Sequence, residues 1–167
     1  MSHTLHRVGT EENLKHDFVI LCMPSKDINH EGSAPKLRRF FQLCEKNHCV
    51  TMGDCRGGNE WYQMEKFHLN DNLEGRQHMI DNVEDRAVIT ATFKEESDVI
   101  GMLADLKEED LGMSIVVSGL VDHVKECCHR AGLEPHTVES SLGRIGRTDL
   151  LPPYEILEIA TMCGHSM

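Results

Sequence analysis

The chain carries seven cysteines, eleven histidines and nine methionines among its 167 residues. Thiolate and imidazole are the soft ligands that hold zinc, copper(I) or iron–sulfur clusters, so position must decide whether any of them meet. Residues 47–59, Asn-His-Cys-Val-Thr-Met-Gly-Asp-Cys-Arg-Gly-Gly-Asn, form a glycine-rich segment directly behind a helical pattern. Within it Cys49 and Cys55, with His48 and Cys44 beside them, are expected to be able to surround an ion. Their spacing, Cys-x4-Cys-x5-Cys, differs from the Cys-x2-Cys zinc knuckle and from the plant-type Cys-x4-Cys-x2-Cys run. Cys55 also precedes Arg56, and a thiol beside a cation is the setting that lowers its pKa and makes it nucleophilic.

Two further constellations lie near the C-terminus. In Cys163-Gly164-His165 the glycine stands where a helix would end, so His165 can fold back towards Cys163 as a second ligand or as a thiol–imidazole pair. Cys49, Cys55, Cys163 and His165 are therefore the candidate metal set, with zinc or iron as the ion. In Ser-Ser-Leu-Gly-Arg-Ile-Gly-Arg-Thr, residues 140–148, Gly143 and Gly146 permit close backbone approach. Arg144 and Arg147 supply forked donors and Thr148 a hydroxyl, so this loop can cradle a phosphate or carboxylate. It is neither a P-loop nor a dinucleotide fingerprint. A plainer reading stands beside each of these. The arginines can simply pair with the chain's many carboxylates. Cys22, inside an apolar run, and Cys44, Cys127, Cys128 and Cys163, on apolar stripes, read as core residues.

Lysine and arginine total 17 against 28 aspartates and glutamates, a net charge of −11. Such a chain is repelled by phosphate backbones and anionic lipid, which argues against nucleic-acid and membrane partners. Residues 1–9 show no apolar signal region, and no apolar stretch approaches the roughly 18 residues of a membrane span. An odd number of cysteines without a secretion signal points to free thiols in the cytoplasm.

The positioning elements follow from periodicity. Residues 17–23, closed by Pro24, read as a strand buried on both faces. Ser33 and Pro35 open a helix over 34–46 whose stripe is Leu37, Phe40, Phe41 and Cys44. Residues 47–86 are an irregular insert, with Glu60–Leu69 read as a strand and Gly53, Gly57, Gly58 and Gly75 as breakers. Strands near 87–93, 113–118 and 135–142 then alternate with helices near 95–111, 119–131 and 153–163. The expected architecture is a single α/β or α+β sandwich of four to five strands covered by helices, either a ferredoxin-like split βαβ or a small open sheet, with an extra C-terminal helix over 152–164.

Ser141-Leu142-Gly143, Gly146-Arg147-Thr148, Leu150-Leu151-Pro152 and Thr161-Met162-Cys163-Gly164-His165 resemble the C-terminal signature of a family of anaerobic prokaryotes to which no activity is assigned. The resemblance implies that the Gly-Arg-Thr loop and the Cys-Gly-His end belong to one feature, and that similar chains run on past this C-terminus, which would make Met167 a truncation point. No triad, zincin, Walker or dinucleotide pattern accompanies it. The expected function is that of a cytoplasmic accessory or regulatory protein, a homodimer, that binds a soft metal or a small anionic metabolite. The alternative is a cysteine-dependent transferase or redox enzyme using Cys163 or Cys55.

Overall fold

The structure, a computed structural model, describes residues 8–135, 149 and 153–156. A single helical turn, α1 (Glu11–Leu14), leads into β1 (Phe18–Met23), the apolar run that Pro24 closes. Phe18, Ile20 and Cys22 point into the core, while Val19 and Leu21 alternate to the other face and are buried too. This is the two-sided burial that a continuous apolar run demands.

The next element, α2 (Ala34–Lys46), buries Leu37, Phe40, Phe41, Leu43 and Cys44 against β1. Ser33, expected to cap it, makes no side-chain capping bond. The cap comes from Asp85 instead, whose carboxylate accepts from Ala34 N–H at 2.7 Å and Gly32 N–H at 2.8 Å. Those bonds at the positive end of the helix hold the Asp85 carboxyl below its ordinary value.

After α2 come β2 (Thr51–Asp54) and β3 (Gly58–Asn59), a short antiparallel hairpin, then α3 (Glu60–Phe67) and α4 (Asn72–Asp81). The chain continues through β4 (Ile89–Phe93), α5 (Glu96–Glu109), β5 (Ser114–Ser118) and α6 (Val121–Arg130). The sheet order is β3-β2-β4-β1-β5, and every neighbouring pair is antiparallel. Met52 lies opposite Ala91, Ala91 opposite Ile20, and Ile20 opposite Val117, a row that faces the helices. Apart from the β3 extension, β2-β4-β1-β5 with α2 and α5 as crossovers is the split βαβ, ferredoxin-like order. The α+β sandwich expected from the sequence is thus present.

Two corrections fall in the insert. Glu60–Leu69 is not a strand: Asn59 accepts from Tyr62 N–H at 2.9 Å and starts α3 at Glu60. Gly75 does not break a helix but sits inside α4, which Asp71 caps by accepting from Glu74 N–H at 2.9 Å. Neither helix carries a broad apolar stripe; α3 buries Glu60 and Gln63. Of the C-terminal expectations, residues 136–142 and 157–163 lie outside the described residues, and residues 154–156 form a helical turn. Among the described residues no helix is long and apolar enough to cross a membrane.

Candidate functional site

The thiols resolve first. At the end of α2, Cys49 N–H donates to Cys44 C=O at 3.0 Å and His48 N–H to Glu45 C=O at 3.2 Å, with His48 at φ 56°. This is a Schellman terminus, whose hydrogen-bond pattern brings an apolar contact across the turn. Cys44 and Cys49 occupy those two positions, and both are buried. Cys49 is therefore a core side chain rather than a loop ligand. Burial pushes its thiol up to about 11, although the Arg76 cation pulls the other way. Cys22, Cys127 and Cys128 are buried as well, as the apolar-stripe reading expected, and burial raises Cys22 to about 12 and Cys127 to about 11.

Cys55 is the exposed thiol among the described cysteines. Its pKa is raised, first by partial burial and then by the Asp54 carboxylate, so the low-pKa thiolate expected beside Arg56 does not form. The Arg56 backbone N–H is held by Asp54 Oδ1 at 2.7 Å, and its guanidinium reaches away to Arg86 C=O at 3.4 Å. Strand β2 lies between Cys49 and Cys55, and an extended run of that length separates them by roughly 15–20 Å. They cannot share one ion. Among the described residues no group of three histidines, cysteines or carboxylates is placed to hold a metal. Cys163 and His165, the other half of that set, lie outside the described residues, as do Gly143, Arg144, Gly146, Arg147 and Thr148 of the arginine loop.

Thiol reactivity should follow this inventory. Alkylation of the native protein with iodoacetamide, read by peptide mapping, should label Cys55 first among the six described cysteines, and faster as pH rises towards 9, because the thiolate is the reactive form. Cys22, Cys44, Cys49, Cys127 and Cys128 should react only after denaturation. Native labelling of Cys49 at the Cys55 rate would mean that the α2 terminus is open.

The sequence offered no cue to the site that the strand order assembles. Cys22 of β1 lies opposite Ile89 of β4, so the loop after β1 and the turn before β4 share one end of the sheet. Pro24, Lys26, His30 and Arg86 line a depression of about 250 Å³ there. His30 Nδ1 accepts the Asp27 backbone N–H at 2.8 Å, which assigns the ring proton to Nε2 and leaves that nitrogen as a donor. Arg86 is fixed through its backbone: its N–H donates to Ser33 Oγ at 2.9 Å, and Ser33 Oγ in turn donates to His30 C=O at 2.9 Å. The Arg86 guanidinium meets the Glu31 carboxylate at 3.1 Å, with both side chains mostly in solvent. Among the described residues Lys26 has no hydrogen-bond or ion-pair partner.

Backbone geometry singles out the same place. Among the described residues, five other than glycine have left-handed φ: Asp27 at 62°, His48 at 56°, His68 at 53°, Arg86 at 68° and Asp110 at 42°. His48, His68 and Asp110 terminate α2, α3 and α5, the ordinary use of that conformation. Asp27 and Arg86 end no helix. Arg86 stands third in the Glu84–Ala87 turn, closed by Ala87 N–H to Glu84 C=O, where glycine is the easy occupant. Strain of this kind costs about 1–3 kcal/mol and persists where surrounding bonds over-determine it, commonly at ligand clamps. Here the strained residue is one that lines a recess.

The chain thus belongs to the class of small split-βαβ α+β sandwiches, with a cationic recess at one end of the sheet. No family model matches it, and no curated protein or solved structure is similar to it.

Proposed function

We propose that this protein is an accessory or regulatory protein of the cytoplasm that binds a small anionic metabolite, and that the metabolite sits between Lys26, His30 and Arg86. The observation that carries this reading is that a lysine, a histidine and an arginine together line one recess in a chain of net charge −11. The net charge of −11 repels anions at long range, so binding at the recess would rest on these local donors. Cys55, the exposed thiol among the described cysteines, has its pKa raised, which favours binding over cysteine chemistry at that residue. Self-association, the other partnership proposed, would draw on Trp61, Tyr62, Phe67 and Leu73, all exposed on α3 and α4.

Isothermal titration with inorganic phosphate, methyl phosphate and succinate tests the reading. At least one should give saturable binding to the wild-type chain, lost in Lys26→Ala and in Arg86→Gly. The second variant should fold without penalty, because glycine adopts φ 68° freely. Saturable binding that survives both substitutions, or none to the wild type, overturns the proposal.

A further inference from the structure

We infer that the recess takes a phosphate monoester dianion, and that Glu31 is its built-in competitor, holding Arg86 until the phosphate displaces the Glu31 carboxylate. This rests on the anion-binding reading above and goes further by naming the ligand class and the contact that regulates access.

Charge and donor count give the class. Lys26 and Arg86 bring two positive charges, Arg86 facing the Glu31 carboxylate and lying near that of Asp85, and His30 adds a directional Nε2–H fixed by the Asp27 bond to Nδ1. Two charges and a third donor match a dianion with three oxygens arranged about one centre. The guanidinium fork suits two of those oxygens, and a lysine ammonium serves as a point charge for the third. A recess of about 250 Å³ that opens to solvent has room for the phosphate group and leaves the organic part of the ester outside it.

Glu31 supplies the regulation. Its carboxylate already lies on Arg86 Nη2 at 3.1 Å, where a phosphate oxygen would bind. The Glu31 side chain is 79% exposed and that of Arg86 55%, so the pair is a solvent-screened contact that a dianion can displace. Once displaced, the Glu31 carboxylate returns to water with little loss. The Arg86 backbone does not follow it, because Ser33 Oγ and the Arg56 guanidinium hold both its N–H and its C=O. The residue therefore keeps its place on the recess, and its solvent-exposed guanidinium is free to exchange one partner for another.

The experiment titrates methyl phosphate and succinate into the full chain, its Glu31→Gln variant and a Glu12→Gln control. Glu12 lies on α1, ahead of β1, whereas the recess follows β1, so the control removes the same charge from the opposite end of a strand. Methyl phosphate should bind more tightly than succinate. Glu31→Gln should tighten methyl phosphate binding by about threefold to fivefold, the range set by an exposed ion pair, and Glu12→Gln by less than about twofold. If methyl phosphate binds but the two variants behave alike, Glu31 is not a competitor and the inference falls while the anion-binding reading stands. Tighter succinate binding overturns the phosphate assignment alone. If neither ligand titrates any of the three proteins the inference falls, and the anion-binding reading falls with it if inorganic phosphate also fails to bind.

Discussion

Gly75→Ala should cost about 3 kcal/mol or more and lower the thermal midpoint by about 6–12 °C, although it places the best helix former inside a helix. Gly75 lies in α4 where α4 crosses the start of α3. A Cβ there would overlap the Glu60 carbonyl oxygen and stand 3.1 Å from its carbon and 3.0 Å from Met64 N. All three are backbone atoms of α3, so no rotamer change relieves the overlap and the helices must separate. Alanine's propensity advantage over glycine is about 1 kcal/mol, which the steric term exceeds. Gly101→Ala in α5 is the comparison, since the added methyl would crowd only the Asn47 amide, whose displacement costs its bonds to Leu43 C=O and Asp105 but does not force two helices apart. Calorimetry of the two variants separates the effects. Equal midpoints for both would remove the close-approach argument.

Gly75 also shows why the insert was hard to read. In β1, α2, α5 and α6 the buried positions are apolar and regularly spaced, and those elements are legible in the chain as written. Along α3 the buried positions are Glu60 and Gln63, and α4 adds Gly75 to Met79 and Ile80. A helix that packs through a carboxylate, an amide and a bare Cα has no hydrophobic signature. Its readable signal is the caps, Asn59 and Asp71, each accepting an N–H three residues on. The thiols misled in the opposite direction. Cys49 looked available because it follows a helix among polar residues, yet a Schellman turn folds that position back onto Cys44. The cationic recess was beyond the reach of local pattern altogether. Lys26 and His30 line one recess with Arg86 only because β1 pairs with β4, and Asp85 caps α2 from 51 positions further along the chain. Strand order, which periodicity does not encode, is the missing quantity in both cases.

Arg76→Met should destabilise the protein by about 3–5 kcal/mol, and adding Glu60→Gln should restore part of that loss. The Glu60 side chain is fully buried, and its carboxylate accepts from Arg76 Nη2 at 2.8 Å, Thr51 Oγ1 at 2.9 Å and Met52 N–H at 3.2 Å. Arg76 Nη2 also donates to Val50 C=O at 3.0 Å, so the pair ties β2 and the residue before it to α3 and α4. Removing the guanidinium leaves a carboxylate in the core with two neutral donors and no counter-charge. Methionine fills the path of the arginine stem, so the loss is electrostatic rather than a cavity. Glu60→Gln then removes the stranded charge while keeping an oxygen for Met52 N–H, which is the backbone donor that has no access to water. The wild-type pair is itself imperfect, because Arg76 Nε is buried without a partner among the described residues, a cost of about 1–3 kcal/mol that the double variant also deletes. Exposed Val50 can give its carbonyl to solvent. Urea midpoints should therefore rank wild type first, the double variant second and Arg76→Met last. A double variant less stable than Arg76→Met alone would show that shape at this junction, not the unpaired charge, sets the cost.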